Sequence, residues 1–166
     1  KASVNDWGQL RNNILMSDQP QGNNVNVPEL LLHLILRGFM EGPGQVWNQD
    51  FLHTGEVERL NSLGISVHAR SLFLQGVLLS RTLPDKLIHA RKQFDNWRAF
   101  LKDLDCTPLE ACCSFACDQN LIDAWVIGTE SESQLSEILT TAPLQTRVSW
   151  NSQASHQPSV YDPRMW

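Results

Sequence analysis

Three places in this chain carry residue types that could do chemistry. The first is His33, alone in the apolar run Leu30–Leu36. An imidazole titrates near neutral pH and can both donate and accept hydrogen bonds, so it suits proton transfer as well as a hydrogen-bonded place in a core. On the residues alone, the core role outweighs the catalytic one. The second place is Gly128-Thr129-Glu130-Ser131-Glu132-Ser133-Gln134, a hydroxyl-rich turn between the apolar stretch Asp123–Gly128 and a segment carrying Leu135, Ile138 and Leu139. A strand that enters a helix through such a turn directs backbone N–H groups and the positive end of the helix dipole at one point, which suits a phosphate group. Ser131 and Gln134 also have the spacing of an ordinary capping box. The third place is the cluster Cys106, Cys112, Cys113 and Cys117. Cys113 and Cys117 stand four apart on an expected helix, but the CxxC pairs and histidine partners of structural zinc are absent, so the thiols are expected to fill a core or groove and no metal site is expected.

The elements that would hold these residues alternate between strand and helix. Gly64–Gly76 is central: Ile65, Val67 and Ala69 alternate with Ser66, His68 and Arg70, the period of a strand with two different faces. It runs into the turn Ser71-Leu72-Phe73-Leu74-Gln75-Gly76, whose final glycine permits backbone geometry that other residues avoid. Before it, Thr54–Leu63 puts Val57, Leu60 and Leu63 on one helical face and stops at Gly64, a natural C-cap. After it, Pro84 opens the strongest helix of the chain, with Leu87, Ala90, Phe94, Trp97, Leu101 and Leu104 three or four apart. Thr107-Pro108-Leu109-Glu110 then announces a helix through the cysteine cluster, ending near Asp118–Asn120.

Other segments are expected as follows. Trp7, Leu10, Ile14 and Leu15 give Lys1–Gln19 the narrow apolar stripe of a helix. Asp18–Asn26 is turn chemistry, and Gly38–Gly44 is a breaker segment. The run Leu30–Leu36 is either a buried strand or a short buried helix, because periodicity does not separate the two over so few residues. The tail from Thr146 to Trp166 is polar and irregular, with Trp150, Tyr161 and Trp166 available as anchors. Strands separated by amphipathic helices imply parallel pairing and an α/β protein.

Composition narrows the partners. The 166 residues have 42% hydrophobic content, enough for one domain with a genuine core. A net charge of −5 lacks the basic footprint of a nucleic-acid binder, although a local pocket for one phosphate is compatible with it. The longest apolar run is far too short to span a bilayer, so no membrane partner is expected. Clustered cysteines without a disulfide framework suit a reducing cytoplasm.

The order of these segments resembles the C-terminal half of the aldo/keto reductase superfamily, especially bacterial members with an Arg-Ser-x-Phe-Leu-Gln-Gly motif on the seventh barrel strand. The stretches carrying the resemblance are Gln45–Asn48, Gly64–Leu79, Thr107–Gly128, the Gly128–Leu139 loop and helix, and Asp162–Trp166. The resemblance implies a (β/α)8 TIM barrel with NADP or NAD across the C-terminal strand ends. It also implies reduction of a small-molecule carbonyl substrate by hydride transfer. A complete barrel takes about 250 residues, so the expectation is a single incomplete barrel domain over residues 1–166, its C-terminal half best covered and segments missing before about residue 45.

Residue by residue, the resemblance makes His33 the histidine that orients the carbonyl and Lys1 the lysine beside the proton donor. Gln45 and Asn48 look like the residues at the nicotinamide amide. Arg70 stands where many members stack an aromatic ring, Ser71 follows as the family's serine does, and Gln75 and Gly76 complete that loop. Gly128, Thr129 and Ser131 match the loop at the adenosine phosphate, with Glu137 near the adenine. Gln134 stands where NADPH-preferring members often have arginine. The donor tyrosine and its aspartate have no match, since the one tyrosine, Tyr161, lies in the tail. The alternative expectation is therefore a catalytically inactive relative that serves as a binding or interaction module.

Overall fold

A computed structural model describes Ala2–Val4 and residues 39–53 and 55–166. Four strands form one sheet in the order β1-β4-β3-β2: β1 is Ala2–Val4, β2 Phe39–Pro43, β3 Ser66–Arg70 and β4 Ala124–Thr129. β2, β3 and β4 are parallel neighbours, with Pro43 opposite Arg70 and Arg70 opposite Val126. β1 lies antiparallel on the outer edge of β4, Ala2 opposite Thr129. The described helices are α1 (Glu56–Ser62), α2 (Arg91–Asp103), α3 (Pro108–Asp118), α4 (Glu132–Thr140) and the single turn α5 (Pro158–Tyr161).

This arrangement corrects the expected (β/α)8 barrel. A closed barrel of that type needs every neighbouring pair to be parallel, whereas the described strands form an open, mixed sheet whose β1–β4 pair is antiparallel. What remains is a partial α/β arrangement of three parallel strands and five helices. The helix expected over Lys1–Gln19 is also corrected at its start, where Ala2–Val4 is a strand; the rest of that segment, the Asp18–Asn26 turn and the Leu30–Leu36 run lie outside the described residues. Gly38–Gly44, expected as a breaker, instead supplies β2. Pairing to β3 overrides its poor strand propensity, and its glycine has a packing reason: a Cβ on Gly42 would sit 2.4 Å from the Phe51 ring. Pro43 closes the strand at the edge of the sheet among the described strands, where the missing N–H is tolerated.

The elements nearer the C-terminus follow their sequence signals. In α1, Val57 and Leu60 are buried with Val67 of β3, but Leu63 is 60% exposed because the helix has ended at Ser62 and the chain turns through Gly64 at φ +73°. Pro84 leads into a 3-10 turn, Asp85–Ala90, that feeds α2; Leu87, Ala90, Phe94, Trp97 and Leu101 line the main core. The Trp97 indole N–H donates to the Leu78 carbonyl at 3.0 Å. α3 carries a complete capping box: Thr107 Oγ1 accepts from the Glu110 N–H, and the Glu110 carboxylate accepts from the Thr107 N–H. Among the described residues no helix is long and apolar enough to cross a membrane.

The capping box makes a testable pair of predictions. Thr107→Ala is expected to lower stability by about 1 kcal/mol at pH 7, read as a shift in urea midpoint. The Thr107 backbone N–H, followed by its side chain, holds the Glu110 carboxyl below its usual range. A depressed carboxylate stabilises the fold above its unfolded pKa, and that contribution is lost as pH falls through the folded value. Glu110→Gln should therefore be less stable than the parent at pH 7, with the gap narrowing in acid; a gap that widened on acidification would reverse the sign and refute the assignment.

Candidate functional site

The parallel register decides which predicted residues meet. Gln45 and Asn48 follow β2, Arg70 and Ser71 end and follow β3, and Gly128 and Thr129 end β4, so all six lie at the C-terminal edge of three adjacent strands. The Gly44 N–H donates to the Arg70 carbonyl at 2.9 Å, fastening the exit of β2 to the exit of β3. Ligands of open α/β sheets bind outside this edge, because loops leaving parallel strands gather there.

Each residue has a defined local setting. Gln45 and Asn48 pair through their backbones at 3.1 and 2.9 Å, Gln45 Oε1 accepts from the Trp47 N–H, and Asn48 Oδ1 accepts from the Asp50 N–H. Both side chains are thus buried turn-formers as well as edge residues. Arg70 Nε lies 3.1 Å from Glu41 Oε1, and Arg70 Nη1 donates to Ser71 Oγ at 3.5 Å. Ser71 has φ 68°, and Leu74, Gln75 and Gly76 also adopt positive φ at 48°, 52° and 84°. So many left-handed residues within six positions store backbone strain, which concentrates at functional loops.

Gly76 isolates that strain. A Cβ added there meets nothing within 4 Å, so Gly76→Ala should cost about 1 kcal/mol through φ alone. Chemical denaturation checks it, and a substitution without effect would show that the loop relaxes freely.

The α4 end of the edge is partly self-satisfied. Ser131 Oγ accepts from the Gln134 N–H at 3.2 Å, and Gln134 Oε1 accepts from the Glu130 N–H at 2.8 Å, so the side chains occupy two donors that the sequence offered to a phosphate. Ser131 also bonds Ser133 at 3.0 Å. Glu137 is exposed on α4, and its backbone carbonyl accepts from the hydroxyls of Thr140 and Thr141. Glu130 and Glu132 favour the helix dipole but oppose an incoming anion. Lys1 and His33 lie outside the described residues.

Sequence reasoning offered Tyr161 only as an anchor of the tail and missed that the tail brings it to the same edge. Tyr161 Oη donates to Asp50 Oδ2 at 3.3 Å across 111 positions of sequence. Desolvation, then the Asp50 carboxylate, raises the Tyr161 pKa above the ordinary phenol value. Asp162 is lowered to about 2, chiefly by its hydrogen bonds from Arg164, with Arg70 adding an attractive charge. No local pattern signals these contacts; only the return path of the tail creates them. Cys112 is fully buried and its thiol is pushed up by desolvation, in keeping with a packing role. Among the described residues no group of three or more His, Cys, Asp or Glu side chains could hold a metal ion.

A scan against protein-family models finds no match, and comparison with curated proteins finds no similar sequence. Any functional reading therefore stands on the site residues and their resemblance to the aldo/keto reductase motifs.

Proposed function

We propose that the chain is an aldo/keto-reductase-type oxidoreductase that binds NADP or NAD across the C-terminal edge of β2, β3 and β4 and reduces a small carbonyl compound. The single observation that supports this is the shared edge: Gln45 and Asn48, Arg70 and Ser71, and Gly128 and Thr129 belong to distant segments yet leave adjacent parallel strands side by side. In this reading Gln45, Asn48 and Ser71 hold the nicotinamide amide, while Gly128, Thr129 and Ser131 take the adenosine phosphate. Gln134 in place of an arginine weakens any preference for the 2′-phosphate. The cofactor supplies hydride to the carbonyl carbon and the protein supplies orientation and a proton to the oxygen; His33 is assigned to orient that oxygen, with Lys1 beside the donor. The cysteines all stand as thiols, which supports a cytoplasmic setting.

A specific observation favours a second reading, a binding module without turnover. The chain's one tyrosine donates a hydrogen bond from its hydroxyl to Asp50 and has a raised pKa, the opposite of what an acid catalyst needs.

Titration with NADPH and NADH, followed by nucleotide fluorescence and by loss of 340 nm absorbance with a test aldehyde, separates the two. Binding with oxidation supports the reductase, and binding without oxidation supports the module. No binding of either nucleotide at millimolar concentration would remove the reductase reading. Gly128→Leu provides a sharper probe, because a Cβ there meets nothing within 4 Å. The fold should tolerate it within about 0.5 kcal/mol, while NADPH affinity falls at least tenfold.

A further inference from the structure

Gln49 is buried, and both ends of its side-chain amide are in use. Nε2 donates to the Val46 carbonyl at 2.8 Å, inside the turn after β2, and to the Trp150 carbonyl at 2.9 Å, in the tail. Carbonyl oxygens only accept, so the amide orientation is fixed and Oε1 is left facing His53 Nε2 at 3.2 Å. Because Oε1 also only accepts, His53 Nε2 carries the proton between them.

The two donated bonds have different consequences. The bond to Val46 braces from within a turn that the paired backbones of Gln45 and Asn48 close at 3.1 and 2.9 Å. The bond to Trp150 ties that turn to the core, since the Trp150 ring packs against Phe100 and Phe115 and its indole N–H donates to Asp118 Oδ2. The Ser155 N–H adds a second tie from the tail, donating to the Trp47 carbonyl at 2.8 Å. One buried side chain thus sets both the shape of the turn and its place against the tail.

We propose that Gln49 is a positioning residue for the nicotinamide end of the cofactor, holding the turn so that Gln45 and Asn48 meet the nicotinamide amide. The inference rests on the oxidoreductase reading above. Hydrogen bonds weaken steeply as distance and angle depart from ideal, so a displaced turn loses its grip on the ring amide. The adenosine end, assigned to Gly128, Thr129 and Ser131, takes no hydrogen bond from Gln49.

Gln49→Met keeps the length of the side chain and removes both donors. Affinities of the full chain are measured for NADPH and NADH, and for 2′-phospho-ADP-ribose and ADP-ribose, which lack only the nicotinamide. In the variant, affinity for the tighter dinucleotide is expected to fall about tenfold while its ribose analogue stays within about twofold. A purely structural role lowers both together or neither, and either result overturns the proposal while leaving the reductase reading in place. A parent chain that binds no dinucleotide, or binds it no more tightly than the analogue, overturns the nicotinamide assignment and this role with it. Should Gln49→Met fail to fold, the parent supplies the test, because coupling between ligand and turn is reciprocal. The dinucleotide is then expected to slow amide hydrogen exchange at the Ser155 N–H and to shift the Gln49 side-chain NH2 resonances more than its analogue does. Equal responses to the two overturn the proposal.

Discussion

Trp97→Ala is expected to be among the most damaging single substitutions in the described fold, lowering stability by about 3–5 kcal/mol. The indole is fully buried where α2 meets the loop after β3, and it packs on Phe100 with ring centroids 6.0 Å apart. Its truncation removes a large apolar surface and leaves a space that the neighbouring Leu87, Phe94 and Leu101 fill only in part. In a chain of this size the loss corresponds to a melting-temperature drop of about 10 °C. Trp97→Phe separates packing from hydrogen bonding. It retains most of the apolar volume but removes the donor to the Leu78 carbonyl, so about 1–3 kcal/mol should go through the unmatched oxygen. Calorimetry on the three proteins checks the order; a phenylalanine as harmful as the alanine would place the whole effect in the hydrogen bond.

Trp150→Ala should cost a similar amount, about 3–5 kcal/mol, and should also reach the candidate site. The Trp150 ring meets Phe100 and Phe115 edge-on at 5.9 and 5.7 Å, and its indole N–H donates to Asp118 Oδ2 at 2.6 Å. Its backbone carbonyl accepts from Gln49, in the turn that carries Gln45 and Asn48. Removing the ring therefore frees the tail at its first anchor and loosens the turn after β2. Beyond the stability loss, nucleotide fluorescence should show weaker NADPH binding at temperatures where the variant remains folded. Unchanged binding in a destabilised protein would separate the tail from the site.

The raised pKa of Tyr161 gives the tail a pH dependence of known sign. A group whose folded pKa exceeds its unfolded value contributes fully below the unfolded value and loses that contribution as pH rises through the folded one. Docking of the tail should accordingly weaken above about pH 10, and Tyr161→Phe should remove that alkaline step in a proteolysis or fluorescence assay.

Much of the second half of the fold was legible because its signals are local. Thr107, Pro108 and Glu110 announce α3 through atoms three residues apart, and the same holds for Ser131 and Gln134 at α4. The α2 stripe is readable because burial on one side of a helix must recur every three or four residues. Val67 and Ala69 point to the packed face of β3 because side chains alternate along a strand. β2 was not legible: Gly42 and Pro43 argue against a strand, and only the neighbouring β3 and the Phe51 ring make that backbone favourable there.

By itself, then, the sequence determined α1 to α4, the two central strands and the types of residue available to a ligand, since propensity, capping and amphipathic period act over a few neighbouring positions. Tertiary structure alone decided that the described strands form an open, mixed sheet rather than a closed barrel, because the antiparallel edge pairing of β1 on β4 depends on a chain path that no local pattern encodes. It alone brought Tyr161 to Asp50 and Ser155 to the Trp47 carbonyl, contacts made by segments more than a hundred residues apart.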